Sequence, residues 1–353
     1  MVVDASLTGA CEGCHEDISA AVGNSLHTNL WGYIDAINAR CDYDPDLADT
    51  EGFGLRCAGC HTGCGECHIS RPNSVGGGFV EGHNFRKRPH MTDQCTACHG
   101  SRVGNDYLGL HDVDEDEIPD YPADVHWGSN FMTCDQCHPG NEMHNMTPGE
   151  GDNLGDDLGV FEHRYAMTEM PRCEDCHGGA GEDNNYHSTH SANWDGWADA
   201  NLQCQVCHSQ PYKNCTSCHP NPAGSEHGFD IESSEIAFKI GINPLAERDE
   251  YDYCVVRHVP VSESDTFNDP MWDGLELNNF DAVPTWKYSS PHNIKLWTAQ
   301  TTVEEGQGCG FSCHDGEDTY KGIYLRETDL YDEFEAPLPD YDANLPVVIE
   351  EFH

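Results

Sequence analysis

Between residues 57 and 68 the chain reads CAGCHTGCGECH, four cysteines and two histidines in twelve positions. That density of soft ligands points to metal chemistry, and tetrahedral zinc is the first reading, because zinc accepts Cys and His at short spacings. A zinc site has no need of a histidine directly after the second cysteine of each pair. Both pairs here have one. The same five-residue pattern recurs as CEGCH (11–15), CTACH (95–99), CDQCH (134–138), CEDCH (173–177), CQVCH (204–208) and CTSCH (215–219). With 20 Cys and 22 His among 353 residues, chance placement predicts well under one copy, yet there are eight.

CxxCH is the attachment pattern of a c-type haem: two thiols bind the vinyl groups and the imidazole sits under the iron. This reading assigns thioether links to the pairs Cys11 and Cys14, Cys57 and Cys60, Cys64 and Cys67, and Cys95 and Cys98. It assigns them equally to Cys134 and Cys137, Cys173 and Cys176, Cys204 and Cys207, and Cys215 and Cys218. A ninth site, CGFSCH (309–314), has one extra residue between Cys309 and Cys313 but keeps the following histidine. The proximal ligands are then His15, His61, His68, His99, His138, His177, His208, His219 and His314, and the expected cofactor load is nine covalently bound haem c groups. Only Cys41 and Cys254 are left over. They form a mutual disulfide, stay as buried thiols, or make one intermolecular bridge, and an oxidising compartment favours the first.

Each iron needs a sixth ligand, and a protein imidazole there closes the site for electron transfer, whereas an open position invites substrate. Thirteen histidines remain for nine positions. His27, in the helix-like stretch after the first site, and His126, His163, His187 and His190, which precede attachment sites, are the leading distal candidates. His83, His90, His144, His227, His258 and His292 follow. His111, beside an acidic run, is expected to face solvent, and His353 is a frayed end or a ligand given to a neighbouring chain.

One haem for every 39 residues or so leaves little room for a conventional core, so porphyrins must supply much of it. With 35 Gly and 19 Pro, the expected fold is irregular, mostly coil with short α-helices and little β, wrapped around a continuous haem chain. Residues 1–219 form a haem-dense region with eight CxxCH sites; 220–308 is a haem-poor packing or interface segment; 309–353 carries the ninth site and an acidic tail. The haem-poor segment holds most of the strand-like alternation, in IAFKIGINPL (236–245), YDYCVVRHVPV (251–261) and FDAVPTWKYSSPHNIKLW (280–297). The tail ends ANLPVVIEEFH, whose VVI reads as an edge strand for docking on something else or as an ordinary loose terminus.

Sixty-three acidic against 17 basic side chains give a formal charge of -46, which makes nucleic acid and anionic membrane surfaces poor partners. The acidic runs 112–117 and 149–159 offer oxygen ligands for Ca²⁺ or other divalent cations, though neither matches an EF-hand loop and each also reads as a solvated loop. No run of 18 apolar residues exists, so no membrane span is expected. Covalent haem attachment is completed outside the cytoplasm, so the chain is expected to be the mature form of an exported protein.

The nine motifs, the opening CEGCHEDISAAVGNSLH (11–27), and YHSTHSANW (186–194) followed by CQVCHSQPYKNCTSCH (204–219) resemble multihaem c-type cytochromes of respiratory electron transfer. The segment with RHVPV (257–261) and PTWKYSSPHN (284–293) is similar to one found in large members of that group. High haem density, a small wrapping chain and no anchor are similar to the extracellular cytochromes that polymerise into haem-lined filaments. The resemblance implies an extracellular or cell-surface electron carrier and no enzyme, with nine bis-His haems in a continuous chain, self-associating head to tail and passing electrons to redox partners or extracellular acceptors. It also implies that His27 reaches a different haem from the one bound at His15. Two other readings stand beside it: a discrete periplasmic shuttle, and a multihaem oxidoreductase acting on a nitrogen or sulfur oxyanion.

Overall fold

In the computed structural model the described residues are 11–23, 25–29, 39–40, 63–71, 76–82, 84–111, 119–145, 165, 170–178, 185–190, 201–215, 219–220, 229–230, 234–259, 279–302, 322–332, 334–338 and 340–350. Helices there are short, most of them four to seven residues, and irregular backbone connects them. The longest helical run, Met91 to Leu108, alternates π and α turns and carries one attachment motif. No described helix is long and apolar enough to cross a membrane.

Strands gather where the sequence alternates. They are β1 (Tyr212–Cys215), β2 (His219–Pro220), β3 (Phe229–Asp230), β4 (Ser234–Ala237), β5 (Ile240–Ile242), β6 (Tyr253–His258) and β7 (Trp286–Tyr288). β1 pairs with β4, β2 with β3, and β6 lies between β5 and β7, all antiparallel. Successive side chains of a strand point to opposite faces, and β6 uses both. Val255 joins Tyr212, Phe238, Ile240 and Ile349 on one side, while Cys254 and Val256 join Trp286, Tyr288, Leu325 and Val347 on the other.

The tail is part of this core. Ile240 N–H donates to Ile323 O (2.6 Å), Leu325 N–H to Ile240 O (2.8 Å) and Ile349 N–H to Leu325 O (3.0 Å). Gly241 permits the approach, since a Cβ there would stand 2.9 Å from both Cγ1 and O of Val347. Val347, Val348 and Ile349 are consequently buried in their own chain, which corrects the expectation that VVI is a loose terminus or an edge kept for a partner. The physical reason is that the sheet has apolar surface on both faces and the tail is the segment that covers it.

His111 is a second correction, being buried rather than solvent-facing. Gly109, at φ 64°, ends the Asn105–Leu108 helix in the left-handed region and turns the chain inward. His111 Nε2 lies 2.6 Å from Asp106 Oδ1, and the other carboxylate oxygen accepts from Arg257 Nη2 at 2.7 Å. Arg257 in turn lies over the Tyr212 ring, 5.0 Å from its centroid.

Candidate haem-binding site

Each described motif forms about one helical turn. In such a turn residues three and four apart share a face, so the two thiols and the histidine of one motif are presented together. Several turns begin the same way. The residue before the second cysteine reaches back to the backbone N–H preceding the first: Glu66 to Gly63 (2.7 Å), Gln136 to Thr133 (2.7 Å) and Asp175 to Arg172 (2.8 Å). That satisfies a donor the helix leaves unpaired and fixes the motif turn without any ligand.

Five motif histidines face five histidines from outside the motifs. The ring centroids of His27 and His99 are 6.1 Å apart, His68 and His144 6.0 Å, His126 and His177 6.0 Å, His138 and His292 6.1 Å, and His187 and His208 6.0 Å. Contacting aromatic rings spread over about 4.5–7 Å, and the other ring pairs here do so, from His68–Phe85 at 4.8 Å through Tyr212–Phe238 at 6.0 Å to Tyr107–Trp127 at 6.4 Å. The His–His pairs instead cluster at one value. Two imidazoles on opposite sides of one metal, with metal–nitrogen bonds of about 2.0–2.1 Å and ring centroids about 1.1 Å behind the nitrogens, give about 6.2 Å.

In four of the ten rings the partner of one nitrogen fixes which one points inward. His68 Nδ1 lies 2.6 Å from Arg86 O, His208 Nδ1 3.1 Å from Lys295 O, His126 Nδ1 2.8 Å from Asp124 Oδ1, and His138 Nδ1 2.9 Å from both carboxylate oxygens of Glu142. Each contact calls for a proton on Nδ1 and leaves Nε2 as the nitrogen that could ligate a metal.

Burial supplies the protonation state. It depresses His27 and His292 to about 4, helped in His27 by repulsion from His99, His138 and His144, and in His292 by repulsion from His138. Burial likewise lowers His144 and His208. All four are neutral at pH 7, as metal ligation requires. His126 shifts upward because of its hydrogen bond to Asp124. Burial works against protonation of His138, but the Glu142 carboxylate outweighs it and the net shift is upward.

A short strip of the haem-poor segment organises three of these pairs. His292 faces His138, Ile294 N–H donates to Asp124 Oδ2 (2.7 Å) while Oδ1 holds His126, and Lys295 O accepts from His208. Sequence reading found only His292 in this strip. The backbone carbonyls of Arg86 and Lys295 carry no side-chain signature, whereas Asp124 and Glu142 lie two and four residues from the histidines they hold, a local spacing that could have marked them.

The attachment turns also approach one another. Cys204 Sγ donates to Glu174 Oε1 in the neighbouring turn (3.6 Å), and the thiols of Cys95 and Cys134, like those of Cys173 and Cys204, lie close enough to influence each other's protonation. Cys67 acts electrostatically on Cys95, and Cys176 on Cys137. Five motifs, 64–68, 95–99, 134–138, 173–177 and 204–208, therefore neighbour one another in the order in which the chain presents them.

The remaining candidates are placed differently. His258 Nε2 lies 3.0 Å from Thr285 Oγ1 and 3.4 Å from Asp340 Oδ2, with its ring against Trp286. His90 Nδ1 contacts Thr92 Oγ1 (3.1 Å), and His190 Nδ1 contacts Tyr186 O (2.8 Å). Cys11, Cys14 and His15 form the turn into the Glu16–Val22 helix. Cys254 is buried, with its thiol 3.8 Å from Asn243 Oδ1, and burial raises its pKa. Cys41, Cys57, Cys60, His61, His83, His163, Cys218, His227, Cys309, Cys313, His314 and His353 lie outside the described residues, as do both acidic runs. Cys215 and His219 are described only as strand backbone.

The residues present fit haem. Among the described residues no three His, Cys, Asp or Glu side chains gather as a metal cluster, and each imidazole pair would offer a haem iron one nitrogen from either ring. Beside these pairs are buried polar atoms without a hydrogen-bond partner among the described residues: Asn145 Nδ2 and Oδ1, Arg257 Nε and His292 Nδ1. Buried polar atoms of that kind call for a polar group to meet them. The chain matches no known protein family, no curated protein and no solved structure.

Proposed function

We propose that the chain is a multihaem c-type cytochrome that transfers electrons and carries out no bond-making chemistry. The observation that carries this is the set of five His pairs at 6.0–6.1 Å, each joining one motif histidine to one histidine from elsewhere. When bound, each haem supplies a one-electron redox centre. The motif thiols would hold the vinyl carbons. His68, His99, His138, His177 and His208 would serve as proximal ligands, with His144, His27, His292, His126 and His187 opposite them. Arg86, Lys295, Asp124 and Glu142 hold the Nδ1 protons so that Nε2 stays aimed inward. At these five sites two protein imidazoles would leave no position for a substrate, which favours electron transfer over the oxidoreductase reading.

The neighbour relations among five successive motifs support a continuous path. Extension of that path by head-to-tail stacking at the cell surface belongs to the same proposal, with the docking element sought elsewhere than in VVI. A discrete periplasmic shuttle would use the same sites. Intact mass of the chain matured with haem tests the reading: nine haem equivalents are expected, and none, or a zinc content instead, would overturn it. Electron microscopy of the purified protein separates filaments from single particles.

A further inference from the structure

Four of the paired histidines have a defined acceptor at Nδ1, and the acceptors are of two kinds. His68 and His208 give their protons to backbone carbonyls, those of Arg86 and Lys295. His138 and His126 give theirs to the carboxylates of Glu142 and Asp124. Both carboxylates are buried. Among the described residues, neither forms an ion pair with Lys or Arg. Glu142 faces His138 through both oxygens, and Asp124 divides itself between His126 and the Ile294 N–H.

A carboxylate on Nδ1–H pulls the proton away, makes the imidazole a stronger donor and favours the oxidised metal. A neutral carbonyl does so less. The negative charge itself acts in the same direction, more strongly for being buried. Arg257 lies near His292 and would oppose this, but it is paired at 2.7 Å with the buried Asp106, so Glu142 is the uncompensated charge.

We propose, resting on the haem reading above, that Glu142 and Asp124 are positioning residues that set the sites of His138–His292 and His126–His177 to lower reduction potentials than the carbonyl-partnered sites of His68–His144 and His187–His208. The two carboxylate sites adjoin each other through Cys137 and Cys176. The motif order therefore puts them between the two carbonyl-partnered sites, directly beside His187–His208 and, across the intervening His27–His99 site, before His68–His144. Electrons would reside on the flanking sites and cross a low-potential step between them.

The test is a redox titration of the full haem-loaded chain and of Glu142→Gln and Asp124→Asn, followed optically and by the ferric magnetic-resonance signals. Glutamine and asparagine keep an acceptor oxygen without the charge, and in Asp124→Asn the amide oxygen still serves the helix start. Glu142→Gln should raise the potential of the His138–His292 component and change its ferric signal; Asp124→Asn should do so most at His126–His177, with a smaller rise at His138–His292, whose His292 and Cys137 its charge also reaches, while the carbonyl-partnered components stay in place. The two variants act chiefly on different sites, so a folding failure in one leaves the other to decide. Full haem load with unmoved potentials in a folded variant would overturn this inference and leave the haem reading intact. A chain that carries no haem would overturn both.

Discussion

His138 and His292 face each other across 6.1 Å with their ring planes 27° apart, although 154 residues separate them in the chain. His68 and His144 share that near-parallel geometry at 27°, whereas His126–His177, His187–His208 and His27–His99 stand at 59°, 62° and 78°. Imidazole plane angle governs the anisotropy of a low-spin ferric signal. Electron paramagnetic resonance of the oxidised, haem-loaded chain should accordingly show two classes, rhombic signals from near-parallel pairs and large-g signals from the crossed ones. A single class would contradict the geometry.

Removing one distal imidazole should open one iron only. His144 stands opposite His68 and is held on the short Gly140–His144 helix. In His144→Ala the reduced protein should bind about one equivalent of carbon monoxide per chain, because a single open axial position admits a ligand. The parent protein should bind far less. Binding equal to the parent's would show that His144 is not a ligand.

The Asp106–Arg257 pair is a stability determinant. Its side chains are 1% and 9% exposed, and the carboxylate also receives His111. Breaking a buried pair from one side leaves an uncompensated charge, so Arg257→Leu should cost about 3–5 kcal/mol, read as a shift of the urea midpoint. Replacing both residues by leucine should cost less than the sum of the single changes. Additive losses would mean that the two do not act as a pair.

Ile349 is 1% exposed in the cluster around Val255, the first of the two that flank β6, the second being that around Val256. Ile349→Ala should destabilise the monomer by about 2–5 kcal/mol, and truncation after Leu345 should do more, since it also removes Val347 and Val348 from the second cluster. Thermal or urea unfolding at low protein concentration is the measurement. An unchanged monomer with altered assembly would return VVI to a docking role.

The local chemistry of the attachment turns is legible in the sequence because every group involved lies within six residues. Cys134, Cys137 and His138 share one turn, and Gln136 caps it, whatever the rest of the chain does. The strands of 236–258 are legible for a related reason: their alternation is a local pattern. The legibility stops where partners are distant. Histidine supply named His292 and His144 as distal candidates, but nothing in the sequence says that one faces His138 and the other His68.

Motif spacing by itself picked out the nine candidate attachment sites and the histidine that follows each cysteine pair, because covalent attachment would demand a fixed local arrangement of side chains. Tertiary structure alone decided the five His pairings, the burial of the His111–Asp106 contact against Arg257, and the packing of VVI in its own sheet. The physical reason is the same in each case. These contacts depend on which distant segments cover one another's apolar surface, and that is set by packing of the whole chain rather than by any local run of residues.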